Sequence, residues 1–340
     1  MGKGTVLVTG GAGYIGSHTV RVLARSGFSP VVFDNLSSGW RQALAPDVPL
    51  VVADLSDRAA LRQAITQHRP QAVIHFAAFI EAGESMREPA RFWDNNVRNT
   101  WNLLEELRAA DVRRIVFSSS AGVYGQPDVV PIAEDAPQHP VNTYGLTKHI
   151  VEAMLGDYDR AYGLRSIALR YFNACGADPA GDIGEAHPAK THLVELTMLA
   201  ALGLRPEIGV FGTDYPTPDG TAVRDYVHVL DLARAHVLAL TALEQGAATT
   251  AYNVGLGRGF SVQQVIEAVE RVAGRPVPRR LAQRREGDPA ELVADARRIQ
   301  QELGWQAEFT DLDAILATAW RWHSGHPAGF AGAGWERELA

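Results

Sequence analysis

The sequence predicts an α/β protein built on a Rossmann-type, doubly wound parallel sheet, followed by a smaller mixed α/β domain. In the first half of the chain, short β-branched runs alternate with segments of helical periodicity, which is typical of a parallel sheet covered by helices on both faces. After Asn173 the alternation stops, and a stretch containing Gly, Asp, Pro and His precedes shorter, less regular elements. We therefore expect one domain over residues 1–173 and a second over 174–340, with some crossing of the chain between them.

Each predicted element rests on a local pattern. Runs rich in Val, Ile and Phe predict strands at 5–9, 31–34, 50–53, 72–76, 115–118 and 166–170. Apolar residues that repeat with a helical period predict helices at 14–26, 57–68, 89–109 and 142–162. In the second domain, shorter patterns predict elements around 192–203, 208–211, 228–244, 261–273 and 309–323.

Composition excludes several classes of protein. The 340 residues, 46% hydrophobic and 21% charged, suit a globular chain with a sizeable core. A formal charge of -7 and a short, interrupted basic cluster at 279–285 argue against a nucleic-acid partner. The single cysteine, Cys175, allows no internal disulfide, and no Cys and His spacing suggests a metal site. The apolar stretch at 5–8 is too short for a signal peptide or a membrane span, so we expect a cytoplasmic protein without a membrane partner.

A glycine motif between the first strand and the first helix predicts a dinucleotide site. Gly10, Gly13 and Gly16 would allow a tight turn, close approach of the backbone to a pyrophosphate, and close packing of the helix, whose N-terminus attracts the anion. The spacing alone also fits an ordinary turn. Asp34, at the end of the second strand, favours NAD over NADP, because a carboxylate accepts hydrogen bonds from a ribose and repels a 2′-phosphate.

Two further strand ends are placed to reach the same nucleotide. Phe76, Ala77 and Ala78 follow the fourth strand, and Asp54 follows the third, where they would contact the adenine and the pyrophosphate. Asp54 is equally suited to cap the helix that comes after it.

The candidate catalytic residues are Tyr144, Lys148 and Ser120. Tyr144 and Lys148 are four residues apart in a predicted helix, so their side chains share one face. A phenol acts as a base near pH 7 only if its pKa falls by about three units, and a neighbouring ammonium together with a positive nicotinamide supplies much of that. The pair alone also fits a helix surface. Among the serines that end the fifth strand, Ser120 is our choice for the hydroxyl that bridges Tyr144 and a substrate oxygen.

Motifs along nearly the whole chain resemble those of the extended short-chain dehydrogenase/reductases, and among these most closely the UDP-glucose 4-epimerases. The matching blocks are residues 9–16, 75–78, 118–125, 144–148, 170–173, 224–232 and 284–288. The resemblance implies that Tyr144 takes the proton of the sugar 4-hydroxyl while hydride moves to a tightly bound NAD, and that the keto sugar turns over before hydride returns. It implies that Ser120 is the hydrogen-bonding partner of Tyr144. Lys148 would lower the pKa of Tyr144 and hold the nicotinamide ribose.

The resemblance also assigns contacts to the cofactor and to a UDP-sugar substrate. The cofactor contacts are Gly10, Gly13, Tyr14, Ile15, Gly16, Asp34, Asn35, Asp54, Leu55, Phe76, Ala77, Ala78, Asn95, Ser118, Tyr144, Lys148 and Tyr171. The substrate contacts are Ser120, Tyr144, Asn173, His192, Leu193, Phe211, Arg224, Arg285, Asp288 and Leu292. Physical chemistry agrees, because two guanidiniums suit a pyrophosphate and a carboxylate suits a ribose diol.

Several of these positions also have a purely structural explanation. Arg224 could pair with the adjacent Asp225, and Phe211 could belong to the core. Asn95 could be a helix-interior amide with a local partner. His75 is explained as well by a satisfied core histidine as by a catalytic one.

Three positions depart from the family pattern. Ile80 stands where some relatives have a lysine, which removes a cation from the nicotinamide end. His192 stands where an asparagine often lies beside the uridine diphosphate, and both can donate a hydrogen bond. Leu292 occupies the position at which a bulky tyrosine narrows the sugar pocket in some members and a smaller residue opens it in others.

The resemblance thus implies a UDP-glucose 4-epimerase, and other functions stay open beside it. A 4-epimerase of UDP-N-acetylglucosamine, UDP-xylose, UDP-arabinose or UDP-glucuronate would use the same chemistry. A nucleotide-sugar dehydratase or decarboxylase would need an acid beside the serine, whereas Ser120 is followed by Ala121, Gly122 and Val123. A non-catalytic NAD-binding module would have no reason to keep Ser120, Tyr144 and Lys148 together.

The resemblance also suggests a homodimer in which the helices at 89–109 and 142–162 pair across a two-fold axis. The apolar residues considered for this contact are Phe92, Val97, Leu103, Leu104, Ile150, Met154 and Tyr158. The alternative is that these residues only cover the sheet.

Overall fold

A parallel sheet of seven strands organises the chain in the computed structural model, which describes residues 3–285 and 288–333. In spatial order the strands are β10, β6, β5, β4, β1, β2 and β3, so the order reverses beside β1 and the sheet is doubly wound. The strands span β1 (Thr5–Thr9), β2 (Ser29–Asp34), β3 (Leu50–Val52), β4 (Ala72–His75), β5 (Arg114–Ser120), β6 (Arg165–Tyr171) and β10 (Thr250–Val254). The predicted fold class is confirmed.

Helices cover both faces of this sheet because its residues alternate between two apolar cores. Val8 and Ile74 belong to one core, while their neighbours Leu7 and Val73 belong to the other. The helices in the first part of the chain are α1 (Tyr14–Arg25), α2 (Arg58–His68), α3 (Ala82–Arg87), α4 (Pro89–Phe92), α5 (Asn99–Ala109) and α6 (Thr143–Tyr162). One wide turn of π-helix, Trp93–Arg98, joins α4 to α5, so the helix predicted at 89–109 is continuous but irregular.

The sheet also takes up chain from beyond residue 173. Strand β10 pairs in parallel with β6 and forms one edge, although no strand was predicted there. Helix α8 (Val229–Glu244) contributes Leu232, Ala235 and Leu240 to the same core as Val8. Because these elements return to the first sheet, a division of the chain at residue 173 does not separate the two structural parts.

The remaining elements form a smaller mixed part at the carboxyl ends of the strands. It contains a four-stranded group in which β9 is central and a two-stranded pair, and its core is built around Met198, Ile266 and Leu316. Its strands are β7 (Asn173–Cys175), β8 (Ile208–Phe211), β9 (Val223–His228), β11 (Gly259–Ser261), β12 (Arg279–Ala282) and β13 (Glu291–Leu292). Its helices are α7 (Leu193–Ala201), α9 (Val262–Ala273) and α11 (Leu312–Gly325), whereas α10 (Arg297–Leu303) packs beside β10 and buries Ile299 in the same core as Val8.

Within the described ranges, no helix combines the length and the apolar character needed to cross a lipid bilayer. Cys175 is buried at the end of β7, where its thiol packs in the core of the smaller part.

Candidate active site

The glycine motif forms a cradle at the carboxyl end of β1. Gly10 has a φ of +71°, and a Cβ atom there would lie 2.6 Å from the backbone nitrogen of Ala77, just after β4. A Cβ at Gly16 would lie 2.2 Å from the carbonyl oxygen of Gly10. Only glycine therefore permits this approach of α1 to the loop. Gly13 precedes α1 and has no side chain to cap it, so the first amide N–H groups of that helix stay available to an anion.

Asp34 lies against this cradle at the end of β2. Its carboxylate accepts hydrogen bonds from the Ala12 amide at 2.9 Å and the Leu36 amide at 2.8 Å. Burial raises the pKa of Asp34, while the two amide bonds lower it. The structure thus places the predicted ribose acid beside the glycine motif, as its position after β2 implied.

Asp54 is not the cap of the helix that follows it. Asp57 caps α2, because its side chain accepts from the amides of Ala59 and Ala60. Asp54 instead accepts a hydrogen bond from the side chain of Asn35 at 2.6 Å, which joins the loops after β2 and β3. The first of its two predicted roles, at the nucleotide edge of the sheet, therefore fits its position better.

Ser120, Tyr144 and Lys148 come together where β5 ends and α6 begins. Ser120 and Tyr144 lie on either side of Gly122, where an added Cβ atom would be 3.3 Å from the Ser120 hydroxyl oxygen and 3.8 Å from a carbon of the Tyr144 ring. The ammonium of Lys148 donates to the carbonyl oxygen of Ser118 at 2.7 Å and lies 5.8 Å from the centre of the Tyr144 ring. The helix begins at Thr143 because the side chain of Asn142 accepts from the amide of Gly145. The surface-helix alternative for Tyr144 and Lys148 is therefore wrong, since Lys148 is buried.

The sequence analysis expected a lowered pKa for Tyr144, but the groups of the protein alone do not lower it. Burial raises that pKa, the charge of Glu81 raises it further, and the hydrogen bond with Ser120 lowers it. Burial also lowers the pKa of Lys148 to about 7, against which the charge of Glu152 acts. Because its ammonium is so readily neutralised, Lys148 is a weaker electrostatic aid to Tyr144 than an exposed lysine charge would suggest.

Two groups that flank the catalytic residues complete this part of the site. The hydroxyl of Ser118 bonds to that of Tyr171, so both predicted cofactor contacts are linked to each other. His75 is a satisfied core histidine, because its two ring nitrogens lie 2.6 Å from the Thr9 hydroxyl and 2.8 Å from the Thr100 hydroxyl. Burial lowers the pKa of His75 to about 3, so the ring is neutral near pH 7.

The loop after β4 is held by an amide that the sequence analysis did not select. Asn96 accepts from the Phe79 amide at 2.8 Å and donates to the Phe79 carbonyl at 3.0 Å. The selected neighbour, Asn95, is half-buried and donates to the side chain of Asn96 at 2.9 Å, as the local-partner alternative implied. Nearby, the buried carbonyl oxygen of the Asn99 side chain has no hydrogen-bond partner among the described residues. The repeated asparagines in this helix were the sequence signal that could have identified Asn96.

On the opposite side of the cleft, Arg224 pairs with Asp288 and not with Asp225. Asp225 is buried and accepts hydrogen bonds from backbone amides, including those of Leu256 at 2.7 Å and Gly257 at 2.9 Å. The alternative of an Arg224 pair with Asp225 is therefore wrong. Leu292 lies beside Arg224 in the register of β13 and β9, and it packs in a small apolar cluster that also contains Phe172 and Ala121.

The residues that the resemblance assigns to the nucleotide end of a substrate lie on the same side of the cleft. The Arg285 guanidinium lies over the Phe211 ring, 4.0 Å from its centre, so Arg285 covers one face of the ring that is assigned to a base. Asn173 is exposed at the start of β7, and Leu193 begins α7. Glu286, within the matching block 284–288, lies outside the described residues.

His192, whose side chain is 42% exposed, contacts the buried carboxylate of Glu185. One carboxylate oxygen of Glu185 bonds to the Nδ1 atoms of both His192 and His187. Ligand-type atoms of these three residues lie within 4.8 Å of one another, although the hydrogen bonds among them already satisfy these atoms.

Burial alone would lower the pKa of His192, but the charge of Glu185 and its hydrogen bond raise it above the ordinary value. The imidazoles in turn hold the pKa of Glu185 well below its usual range against the effect of burial. The sequence analysis missed Glu185, whose only signal was its position in a Gly- and His-containing stretch.

The fold and this site define a dinucleotide-binding enzyme with a serine, tyrosine and lysine at its centre. The family described as NAD dependent epimerase/dehydratase matches residues 6–255, and the chain belongs to that family.

Similar proteins agree over almost the full length. The UDP-glucose 4-epimerase of Rhizobium meliloti is 50% identical over 324 residues, which cover 95% of this chain and 98% of that protein. The UDP-glucose 4-epimerase of Azospirillum brasilense is 49% identical, with 93% of this chain and 91% of that protein covered. The crystal structure of UDP-glucose 4-epimerase from Brucella ovis in complex with NAD has a TM-score of 0.91 at 47% identity, with 93% and 97% covered.

Replacing Glu185 by glutamine should lower the pKa of His192, because burial would then act without the opposing charge. A histidine NMR titration should show the His192 midpoint falling from above 6.5 in the parent protein to below it in Glu185→Gln. Since the pKa is raised in the folded protein, the pair stabilises the fold fully below pH 6.5, and this contribution is lost as the pH rises through the folded pKa.

The control variant is Glu207→Gln, which removes an acid from an exposed ion pair with Arg280 and should leave the titration unchanged. An unaltered His192 midpoint in Glu185→Gln would contradict the assignment of this pair.

Proposed function

We propose that this protein interconverts UDP-glucose and UDP-galactose by transient oxidation at carbon 4 of the sugar with a tightly bound NAD. The observation that carries the proposal is the placement of Ser120 and Tyr144 together beside buried Lys148, at the end of a strand next to the glycine cradle. The similarity to UDP-glucose 4-epimerases over nearly the whole chain supports it.

The residues present suit NAD. The cradle of Gly10 and Gly16 leaves backbone within reach of a pyrophosphate, and the free N-terminus of α1 faces the same place. Asp34 would hold the adenosine ribose, and Lys148 the nicotinamide ribose. When bound, NAD supplies the acceptor and then the donor of the hydride at carbon 4.

The chain's own residues carry the proton. In this mechanism ionised Tyr144 takes the proton of the 4-hydroxyl and later returns it to the same oxygen, so no net proton is consumed. Ser120, which lies beside Tyr144, would hydrogen-bond to both oxygens and orient them. A positive charge close to the ring is needed to lower the pKa of Tyr144, and Lys148 supplies it below about pH 7.

The uridine diphosphate would stay anchored while the sugar turns. Arg224 and Arg285 would supply positive charge for the diphosphate, His192 would donate a hydrogen bond to it, and Phe211 would supply a surface for uracil. Asp288 would exchange its contact with Arg224 for the uridine ribose. Because these contacts hold only the nucleotide, the sugar can present either face.

Elimination of water is disfavoured by the residues after Ser120. Ala121 and Val123 are buried and apolar, so this turn offers no acid beside the serine. We also propose that the protein works in the cytoplasm, since its single cysteine, Cys175, serves as buried packing.

Tyr144→Phe should abolish most turnover while the fold and bound NAD persist, because only the hydroxyl is lost. Loss of a positioned acid/base group lowers the rate by about 10²- to 10⁴-fold. The test incubates purified protein with UDP-galactose, without added NAD, and follows UDP-glucose, with cofactor content measured after denaturation.

Tyr158→Phe is the matched control, since it removes a phenol on the same helix that bonds to Glu105. Turnover of Tyr144→Phe within a few-fold of the parent would refute the role of Tyr144. A stoichiometric need for fresh NAD would indicate a dehydrogenase instead.

Leu292 would set how large a sugar the pocket accepts. It is half-buried against Ala121 and Phe172, which adjoin Ser120 and Asn173 respectively. Leucine is smaller than tyrosine but larger than cysteine or glycine, so the pocket should accept glucose and galactose and only partly accommodate a 2-acetamido group. One hydrophobic wall discriminates by about 1–3 kcal/mol, or 10- to 200-fold.

We therefore expect UDP-glucose and UDP-galactose to be preferred, with slower turnover of UDP-N-acetylglucosamine. Leu292→Tyr should suppress the N-acetyl reaction more than the glucose reaction, and Leu292→Gly should do the reverse. The measurement is kcat/KM for both substrates with each variant. Equal effects on the two substrates would show that Leu292 does not line the pocket.

We further propose a homodimer through the surface of α6, α5 and the π-helical turn that precedes α5. Part of the expected contact set is wrong, because Phe92, Leu103 and Leu104 are fully buried in the chain's own core. The surface that remains is formed by Trp101, which is 44% exposed, Leu146, which is 36% exposed, and the half-buried Val97, Ile150 and Met154. Such a face suits an isologous contact.

Light scattering at micromolar concentration should give about twice the 36.8 kDa mass of one chain. The double variant Trp101→Glu with Leu146→Glu should shift this mass to that of one chain, because charges would enter the contact. Leu204→Glu, at an exposed residue of the smaller part, should remain dimeric. A monomeric mass for the parent protein would refute the dimer.

A further inference from the structure

Glu185, His187 and His192 form a compact group of metal-ligating side chains, of which the proposed mechanism uses only His192. The Nδ1 atoms of both histidines lie at hydrogen-bond distance from one carboxylate oxygen of Glu185, at 3.1 Å for His187. One possible ligand atom from each side chain lies within 4.8 Å of the other two. Zinc bonds of about 2.0–2.2 Å in a tetrahedral arrangement separate such atoms by about 3.3–3.6 Å, so small side-chain movements would close the group around an ion.

The backbone that carries two of these residues is fixed by two indole rings. The Trp322 indole N–H donates to the Glu185 carbonyl at 2.9 Å, and the Trp40 indole N–H donates to the Ala186 carbonyl at 2.7 Å. The third residue, His192, directly precedes α7. The side chains therefore project from fixed positions, as a preorganised set of ligands requires.

Glu185 lacks the full cationic partner that a buried carboxylate usually has. Its side chain is 4% exposed, and within residues 3–285 and 288–333 it forms no ion pair with a lysine or an arginine. Its partners are the imidazoles of His187 and His192, whose side chains are 14% and 42% exposed and can be reached from solvent. Because buried charges are stable when they are paired or coordinate a metal, a divalent ion would supply the missing positive charge.

A second buried carboxylate beside the group has an unsatisfied oxygen. Oε1 of Glu195 accepts from the Lys190 ammonium at 2.6 Å, and that ammonium also lies 3.5 Å from the His187 carbonyl oxygen. Oε2 of Glu195 is buried and has no hydrogen-bond partner among the described residues. Glu195 stands three residues after His192, in the first turn of α7. Buried oxygens of this kind are normally satisfied, and a water bound to a metal in the group would bring a donor to this part of the chain.

We propose that Glu185, His187 and His192 form a binding site for a divalent transition-metal ion, represented by Zn²⁺. Each imidazole would carry its proton on Nε2 and offer Nδ1 to the metal, while Glu185 supplies one oxygen. A water would take the fourth position. The two nitrogen ligands favour zinc over Mg²⁺ and Ca²⁺, which prefer oxygen. This site goes beyond the proposed function and does not depend on it.

Calorimetric titration of the purified protein, without a histidine tag, tests the site directly. The parent protein should bind one Zn²⁺ per chain and should give no binding heat with Mg²⁺. His187→Gln removes one ligand at a partly exposed residue and should weaken zinc binding by at least about 10- to 100-fold, the loss that removal of a less direct partner already causes. Glu185→Gln should weaken it as well, with circular dichroism used to check that each variant folds.

Co²⁺ provides a second readout, because its visible absorption reports a four-coordinate site. The parent protein should give that spectrum, and His187→Gln should lose it. His139→Gln is the matched control, since it removes an exposed histidine outside the group and should leave both readouts unchanged. The proposal would be overturned if the parent bound no stoichiometric zinc, if His187→Gln kept the parent affinity, or if His139→Gln weakened binding equally.

Discussion

The site depends on how a buried ammonium is satisfied. Lys148 is only 3% exposed, and a charge in that position is costly unless it is hydrogen-bonded. Its bond to the Ser118 carbonyl therefore ties α6 to the end of β5. Ser120 lies two residues along that strand, and Tyr144 lies one helical turn before Lys148, so this contact also sets their separation. One hydrogen bond between α6 and β5 thus positions the three catalytic residues relative to one another.

The charges behind the catalytic residues form a second layer. Glu152, one turn after Lys148, raises the pKa of Lys148 and itself bonds to Arg170 on β6, at 2.6 Å for the shortest contact. Arg170 also donates to the hydroxyl of Tyr124, in the turn after Ser120. His75 stays neutral nearby. Because burial brings the pKa of Lys148 to about 7, the charge at the centre of this network changes near pH 7.

The smaller part is linked to the sheet by a buried carboxylate that backbone amides satisfy. Asp225 is fully buried and accepts amide hydrogen bonds from Leu256, Gly257 and Ala294, which satisfy it without a cation. Burial raises its pKa to about 6. Because Asp225 is turned inward on β9, the adjacent Arg224 points to the other face and into the cleft, following the alternation of a strand. Arg224 and Leu292 therefore lie together at the substrate side.

The sequence by itself determined the parallel sheet, the glycine cradle, the acid after β2 and the pairing of Tyr144 with Lys148. Each of these is encoded within a few residues, either as periodicity or as spacing along one helix or turn. The tertiary structure alone decided that Arg224 contacts Asp288, that Glu185 contacts His192, and that β10 completes the sheet. It also decided that Asn96 holds the loop after β4 and that the charge of Glu81 acts on Tyr144. These relations join residues far apart in the chain, and no local pattern specifies which of several equivalent polar side chains will meet once the core has packed.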